Sequence, residues 1–391
     1  MLHTRSRLRA SDASPGDRFG ISLSIVDDWM AVGAYRRAAA NTTGSVYLYQ
    51  NTRGVWQEIE QKLVPENDEG ASNMRFGRSV ALGSDGGRTL VVGAYYDDHA
   101  GPFAGSAYVY SRMDDGTWVE EAKLRANDAS ADSLFGTEVA ILGDDMVFVA
   151  AKNEDEQTGS VYLFERSADG RFSQRQKIRS DSASPGSRFG SSIAVMENIL
   201  VVGAEQGDAN EIDSGSAYVF VRTERGVWMQ HQELVGNDSI FGDFFGFSVA
   251  VHDDMIAVGA IGDADRGSES GSTYIFRKRN NGVWEQQQKL IASTSATNAK
   301  HFGYSVALND EHLVVGTKIG VDGSSSGSGY AYVWDPLTET WIEAFTLGIE
   351  GTKGADLTPR IALNGDTIAV GSGYSDTTDG RDAGELFIYR F

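Results

Sequence analysis

An all-β, seven-bladed β-propeller is the fold this sequence predicts, and three observations carry it. Six Phe-Gly pairs recur at a nearly constant interval: Phe19-Gly20, Phe76-Gly77, Phe135-Gly136, Phe189-Gly190, Phe245-Gly246 and Phe302-Gly303. Their spacings of 57, 59, 54, 56 and 57 residues leave room for a seventh unit beginning near 357, where Leu357-Thr358 stands in place of the pair. Each unit reads as four short apolar runs separated by Gly, Asn and Asp turns, and no stretch holds a helical period long enough to matter. Four antiparallel strands repeated seven times is a propeller pattern. Residues 1–391 therefore read as one closed domain, where length alone would suggest two or three.

The elements follow in a fixed order. After Phe-Gly comes an alternating strand such as Arg78-Ser79-Val80-Ala81-Leu82. This strand lies innermost, where a side chain after Phe would collide with the next blade; Gly permits the approach while Phe wedges between sheets. A tight turn such as Asp253-Asp254 or Asn309-Asp310 leads to a second strand ending in Gly-Ala, as in Leu90 to Ala94 and Leu200 to Ala204. A longer polar loop precedes a third strand of the form Gly-Ser-x-Tyr-x-Tyr/Phe, from Gly44 to Tyr49, Gly105 to Tyr110, Gly159 to Phe164, Gly215 to Phe220 and Gly271 to Phe276, with weaker copies at Gly329 to Trp334 and Gly384 to Tyr389. The fourth strand opens on Trp56, Trp118, Phe172, Trp228, Trp284 or Trp341 and closes on pairs such as Lys62-Leu63, Lys123-Leu124 and Lys177-Ile178. Tyr47, Tyr108, Tyr162, Tyr218, Tyr274 and Tyr332 recur and are expected to pack between blades. The seventh unit stops at Phe391 after its third strand, and residues 4–10 match the fourth-strand segments. The N-terminal strand is expected to complete the last blade and fasten the ring.

Composition narrows the function. The chain has no Cys, which excludes disulfides, Cys-ligated zinc and a thiol nucleophile. Its 34 Lys plus Arg against 55 Asp plus Glu give a net charge of −21, which disfavours nucleic acid and anionic membrane surfaces as partners. No apolar run approaches the roughly 18 residues of a membrane span, and the start, Met1 to Arg7, lacks the apolar stretch of a signal peptide.

Phe-Gly and Gly-Ala at about 56-residue intervals, in register with Gly-Ser-x-Tyr and Trp, resemble the FG-GAP repeat family. Its best-known members are the N-terminal propellers of integrin α subunits, and this chain looks more like the family's bacterial and protist surface proteins. The resemblance covers essentially all of the chain. It implies adhesion or ligand binding on the upper face and an extracellular or cell-surface location. Integrin-type propellers carry calcium loops of the form Asp-x-Asp/Asn-x-Asp/Asn-Gly between the first and second strands. Here those connections are short (Gly143-Asp144-Asp145, Glu197-Asn198, Asp253-Asp254, Asn364-Gly365-Asp366) and read as hairpin turns, so those sites are not carried over.

Loops joining strands two and three, and those joining blades, are the long ones and share one face, the expected place for a site. They are acidic. Asp263, Asp265 and Glu269 are the best-spaced candidates for a hard cation such as Ca²⁺, followed by Asp208 with Asp213 and by Asp376, Asp379 and Asp382. The competing reading is that these are solvated acids that keep the protein soluble. A recurring Asp in the blade-to-blade loops (Asp12, Asp68, Asp128, Asp181, Asp238) points to a structural role in turns.

Aromatics that do not repeat are better ligand candidates: Tyr35, Tyr95, Tyr96, Phe103 and Tyr374, together with the neighbouring Asp97, Asp98 and His99. The leading function is a monomeric, non-catalytic recognition or adhesion module for a protein or glycan ligand on the long-loop face, assisted by Ca²⁺. The rivals are a polysaccharide lyase or glycosidase using His99, Tyr95 and Asp97, and a structural scaffold in a surface assembly.

Overall fold

In the computed structural model the described residues are 3–35, 43–66, 74–293, 299–319, 328–348 and 359–391. They form seven four-stranded antiparallel sheets, and in six of them chain order and sheet order coincide. The first blade is typical: Ser22–Val26 lies innermost, followed by Trp29–Ala34, Ser45–Thr52 and Val55–Glu58. The short connections between first and second strands are tight turns that use left-handed backbone, at Asp27, Glu197, Asp253 and Gly365 among others. Among the described residues helix is confined to one turn, Glu154–Gln157, and none is long and apolar enough to cross a membrane.

The seventh sheet is completed by the N-terminus. Its strands Pro359–Asn364, Thr367–Ser372 and Glu385–Arg390 are followed, at the outer edge, by His3–Leu8. Ser6, Arg7 and Leu8 lie opposite Ile388, Phe387 and Leu386. The Arg7 guanidinium also pairs with the fully buried Glu385.

Packing explains the repeated motifs. The six Phe residues of the Phe-Gly pairs are buried, and each apolar cluster spans two adjacent blades. One cluster joins Trp29, Val46 and Leu48 of the first blade to Phe76, Val92 and Tyr108 of the second. Phe76 meets Tyr108 edge-on at 5.3 Å and Phe245 meets Tyr274 at 5.3 Å. In the sixth blade Tyr330, not Tyr332, takes this place, 5.3 Å from Phe302. The Tyr332 assignment was two residues out of register because the sixth blade's Gly329 pairs with Gly316, where Thr273 pairs with Gly259 in the fifth.

The two Gly signatures meet across blades. A Cβ on Gly33, at the end of the first blade's second strand, would lie 2.0 Å from the carbonyl oxygen of Gly77 in the next blade. Gly77 itself has φ +87, a conformation L side chains rarely adopt. A serine two residues after Gly reinforces the seam: the hydroxyls of Ser22, Ser79, Ser192 and Ser248 donate to the Gly77, Gly136, Gly246 and Gly303 carbonyls at 2.7–3.0 Å. The third blade carries Glu138 and the seventh Arg360 at this position, and both line the axial channel. That channel, walled by the first strands of all seven blades, encloses about 210 Å³.

Candidate functional site

The long-loop face has two chemically distinct zones. Away from the axis, the loop acids are held by lysines that close the fourth strands. Lys123 Nζ lies 2.8 Å from Asp97; Lys177 lies 2.7 Å from Glu154 and 2.5 Å from Asp128. Lys289 contacts Asp238, Asp263 and Asp265, each at 2.7 Å. Third-strand tyrosines join in: Tyr47 donates to Asp12 at 2.5 Å and Tyr274 to Asp238 and Asp263 at 2.9 Å. Burial opposes ionisation of Asp97, but hydrogen bonds from Lys123, Ser106 and His99 outweigh it and hold its carboxyl at about 2. Asp243 shows the opposite balance: burial and the charges of Asp263 and Asp238 push it up to about 6. The fourth blade departs from the pattern, with Glu233 in the lysine's place, bonded by Ser182 and Ser216 at 2.9 Å.

This geometry bears on the cation candidates. Asp263 and Asp265 come together, but around the Lys289 ammonium, so the pair is not an open cage for Ca²⁺. Glu269 is not brought to them; it faces His301 at 3.9 Å. Asp208 accepts the Asp213 backbone N–H at 2.9 Å, and Asp376 accepts that of Asp382 at 3.0 Å, so both close loop turns. Asp379 lies 3.4 Å from Arg9. Asp97 accepts from the His99 backbone and lies 2.6 Å from its Nδ1; with Asp98 these are close enough to share an ion, as are His252, Asp253 and Asp310, among the described residues. Of the recurring loop aspartates, Asp68 lies outside the described residues, as does the Leu357-Thr358 pair.

At the axis the chemistry changes sign. The residue before each described Phe-Gly pair has left-handed backbone, and three of these are arginines: Arg18, Arg75 and Arg188, at φ 56–57. Each sits where two blades meet. Arg18 donates to Tyr35 at 2.7 Å and to Tyr374 at 3.3 Å, and its guanidinium lies 4.2 Å from the Tyr374 ring centre. Arg75 donates to the Tyr95 hydroxyl and stacks on Tyr96 at 3.8 Å. Tyr96 packs against Tyr95 at 4.5 Å and Phe103 at 4.7 Å. The structure thus gathers five sequence-selected residues, Tyr35, Tyr95, Tyr96, Phe103 and Tyr374, around two arginines. Asp97, Asp98 and His99 belong instead to the outer zone.

Deeper in the mouth, Arg78 pairs with Glu138 at 3.5 Å and lies within electrostatic reach of Tyr35, Tyr95 and Tyr304. Glu205 is shared by Arg188 at 3.4 Å and Lys152 at 3.8 Å. Arg18, Arg75, Arg78, Arg188 and Lys152 against Glu138 and Glu205 leave 5 − 2 = +3 among these groups. The crowding is visible in Lys152: burial, aided by Arg78 and Arg188 against the pull of Glu205, holds its pKa below the ordinary lysine value. Burial raises Tyr35, yet its bond to Tyr374 and the charges of Arg78 and Arg18 bring it below the ordinary tyrosine value. Sequence reasoning missed these cations. The available signals were the arginines directly before Phe-Gly and the charged Glu138 and Arg360 at an otherwise Ser position.

Fold and site together define a repeat propeller with a polar, aromatic mouth at its axis. The model of the FG-GAP repeat matches residues 3–49, 56–110, 118–164, 172–220, 228–276 and 284–334, and the chain belongs to that family. Among curated proteins it is similar to integrin alpha-6 of Gallus gallus, 31% identical over 134 residues that make up 31% of this chain and 12% of that protein. It is also similar to integrin alpha-2 of Mus musculus, 27% identical over 197 residues, 46% of this chain and 16% of that one. The chain thus spans well under a fifth of the length of these relatives. Solved structures with the same fold include a putative 6-phosphogluconolactonase from Bacteroides uniformis (TM-score 0.59, 13% identity, 91% of this chain and 94% of that one). A periplasmic gluconolactonase from Pseudomonas aeruginosa aligns with TM-score 0.54 and 16% identity over 90% of this chain and 93% of that one. At these identities the likeness concerns the fold alone.

Proposed function

We propose that this protein is an extracellular or cell-surface recognition module that binds a protein or glycan at the axial mouth of its long-loop face and releases it unchanged. The observation that supports this reading is the cluster of Tyr35, Tyr95, Tyr96, Phe103 and Tyr374 around Arg18 and Arg75, in which Tyr35, Tyr95 and Arg18 are buried and Tyr96, Phe103 and Tyr374 reach the surface. Tyr and Arg on a rigid frame are the side chains that dominate binding hot spots, because they bring large contact area with little ordering cost. Kinship with integrin α subunits is in keeping with adhesion and with placement outside the cell. Ca²⁺ assistance belongs to the same proposal; the ligand atoms of Asp97, Asp98 and His99 converge, and an ion there requires Lys123 to withdraw from Asp97.

A second, catalytic reading draws on the Tyr35 and Tyr374 hydroxyls, which share the Arg18 guanidinium and lie 3.4 Å apart, a pair able to relay a proton. The two readings separate in one experiment. Glycan and protein arrays are probed with and without Ca²⁺, and bound species are then assayed for turnover. Retention of an unaltered ligand is expected. Turnover would replace the recognition reading with the catalytic one, and equal signal in EDTA would remove the cation.

A further inference from the structure

We infer that the axial mouth receives the carboxylate of an acidic sugar, with the glycan chain lying across the Tyr96–Phe103 ledge. This inference rests on the recognition reading and names its ligand class.

The charge distribution comes first. A chain of net charge −21 repels anions over most of its surface, yet the named groups at the mouth sum to +3. Among the described residues neither Arg18 nor Arg75 pairs with a carboxylate; their partners are tyrosine hydroxyls and ring faces. The Nε atoms of Arg18, Arg75 and Arg188 are buried and make no hydrogen bond. Arg18 is buried and, among the described residues, has no carboxylate partner, which is costly; the cost is recovered when a ligand carboxylate enters and accepts its N–H groups together with those of the half-buried Arg75. The mouth is also rich in donors. Arg18 donates to both Tyr35 and Tyr374, whose hydroxyl oxygens are 3.4 Å apart; when one tyrosine donates to the other, the second O–H is left to point at a ligand oxygen.

The ledge selects a sugar over an acidic peptide. Tyr95, Tyr96 and Phe103 form a continuous run of rings, and Phe103 keeps 43% of its surface exposed on left-handed backbone at φ 51. Flat ring faces suit the C–H face of a pyranose, whose hydroxyls can then reach the tyrosine donors. A peptide presents no such flat C–H face to the rings.

The test is calorimetric titration with tetrasaccharides of galacturonate, of mannuronate and of glucuronate-containing hyaluronan. Neutral galactose tetrasaccharide and tetraglutamate serve as comparison ligands. At least one acidic tetrasaccharide is expected to bind roughly tenfold or more tighter than the neutral one, and less tightly as salt rises. Arg75→Gln is expected to remove that preference. Phe103→Ala, at an exposed position that leaves the core intact, is expected to weaken acidic and neutral sugars alike. Leu337→Ser, at an exposed tip outside the mouth, should change neither. Equal binding of neutral and acidic sugars, tighter binding of tetraglutamate, or full affinity in both mouth variants would overturn the inference. If no acidic sugar binds while an array ligand still requires Phe103, the inference fails and the recognition reading stands. If an acidic sugar binds and is cleaved, the ligand class stands and the non-catalytic reading fails.

Discussion

The outer ring of loop acids and the axial mouth lie on one face and follow opposite rules. The outer ring repeats: Asp97, Glu154 and Asp263 each meet a fourth-strand lysine, and Asp12, Asp128 and Asp238 each sit beside a lysine of their own repeat. The mouth varies: Tyr35, Tyr95, Lys152 and Glu205 follow the second strands of successive blades with three different chemistries. Repetition marks what every blade needs in order to pack. Departure from the repeat marks what the ring as a whole can recognise. The positions before Phe-Gly carry both messages at once, with one backbone conformation throughout and Arg in only some blades.

The largest effect expected is on the scaffold. Removing residues 1–10 deletes the outer strand of the seventh sheet and strips Glu385 of Arg7. The melting temperature of the truncated protein should fall by roughly 10 °C or more; an unchanged melt would mean that the ring closes without this strand. Next comes Lys289→Met, which leaves Asp238, Asp263 and Asp265 facing one another unneutralised. Chemical denaturation should show a loss of about 3 kcal/mol, and a loss near zero would place the outer ring outside the scaffold.

Acid titration gives a smaller, signed effect. Asp97 sits near 2 in the folded state, below its unfolded value of about 4, so it adds stability above that value and loses it as the pH falls from about 4 to 2. Asp243 sits near 6, above its unfolded value, so its stabilising contribution is complete below about 4 and is lost as pH rises from 4 to 6. Midpoints of urea unfolding across this range should therefore lose part of their acid-side fall in Asp97→Asn. In Asp243→Asn they should lose part of their decline between pH 4 and 6. The reverse assignment would break the account of the outer ring. The smallest expected effect is on the stability of Arg75→Gln: removing an uncompensated cation should change unfolding free energy by no more than about 1 kcal/mol.

Much of this was legible because propeller packing is periodic. Phe-Gly against Gly-Ala recurs where backbones touch, as Gly33 and Gly77 do, and periodic contacts leave periodic sequence. The closing strand was legible for the same reason. Contacts between distant segments were not. The loop acids read as a cation site because Asp97 and Lys123, or Asp263 and Lys289, are separated by a whole third strand. The non-repeating tyrosines were visible as exceptions, but Arg18 and Arg75 hid beside the repeat motif itself. Their role emerges only when adjacent blades bring Tyr374 to Arg18 and Tyr96 to Arg75.

The division between scaffold and site is tested most directly by measuring binding and melting together for two variants, using the best acidic tetrasaccharide. The account predicts that Arg75→Gln keeps its melting temperature and loses roughly tenfold or more in affinity, while Lys289→Met melts lower and binds as the native protein does below its own transition. Loss of affinity in Lys289→Met with full affinity in Arg75→Gln would contradict it.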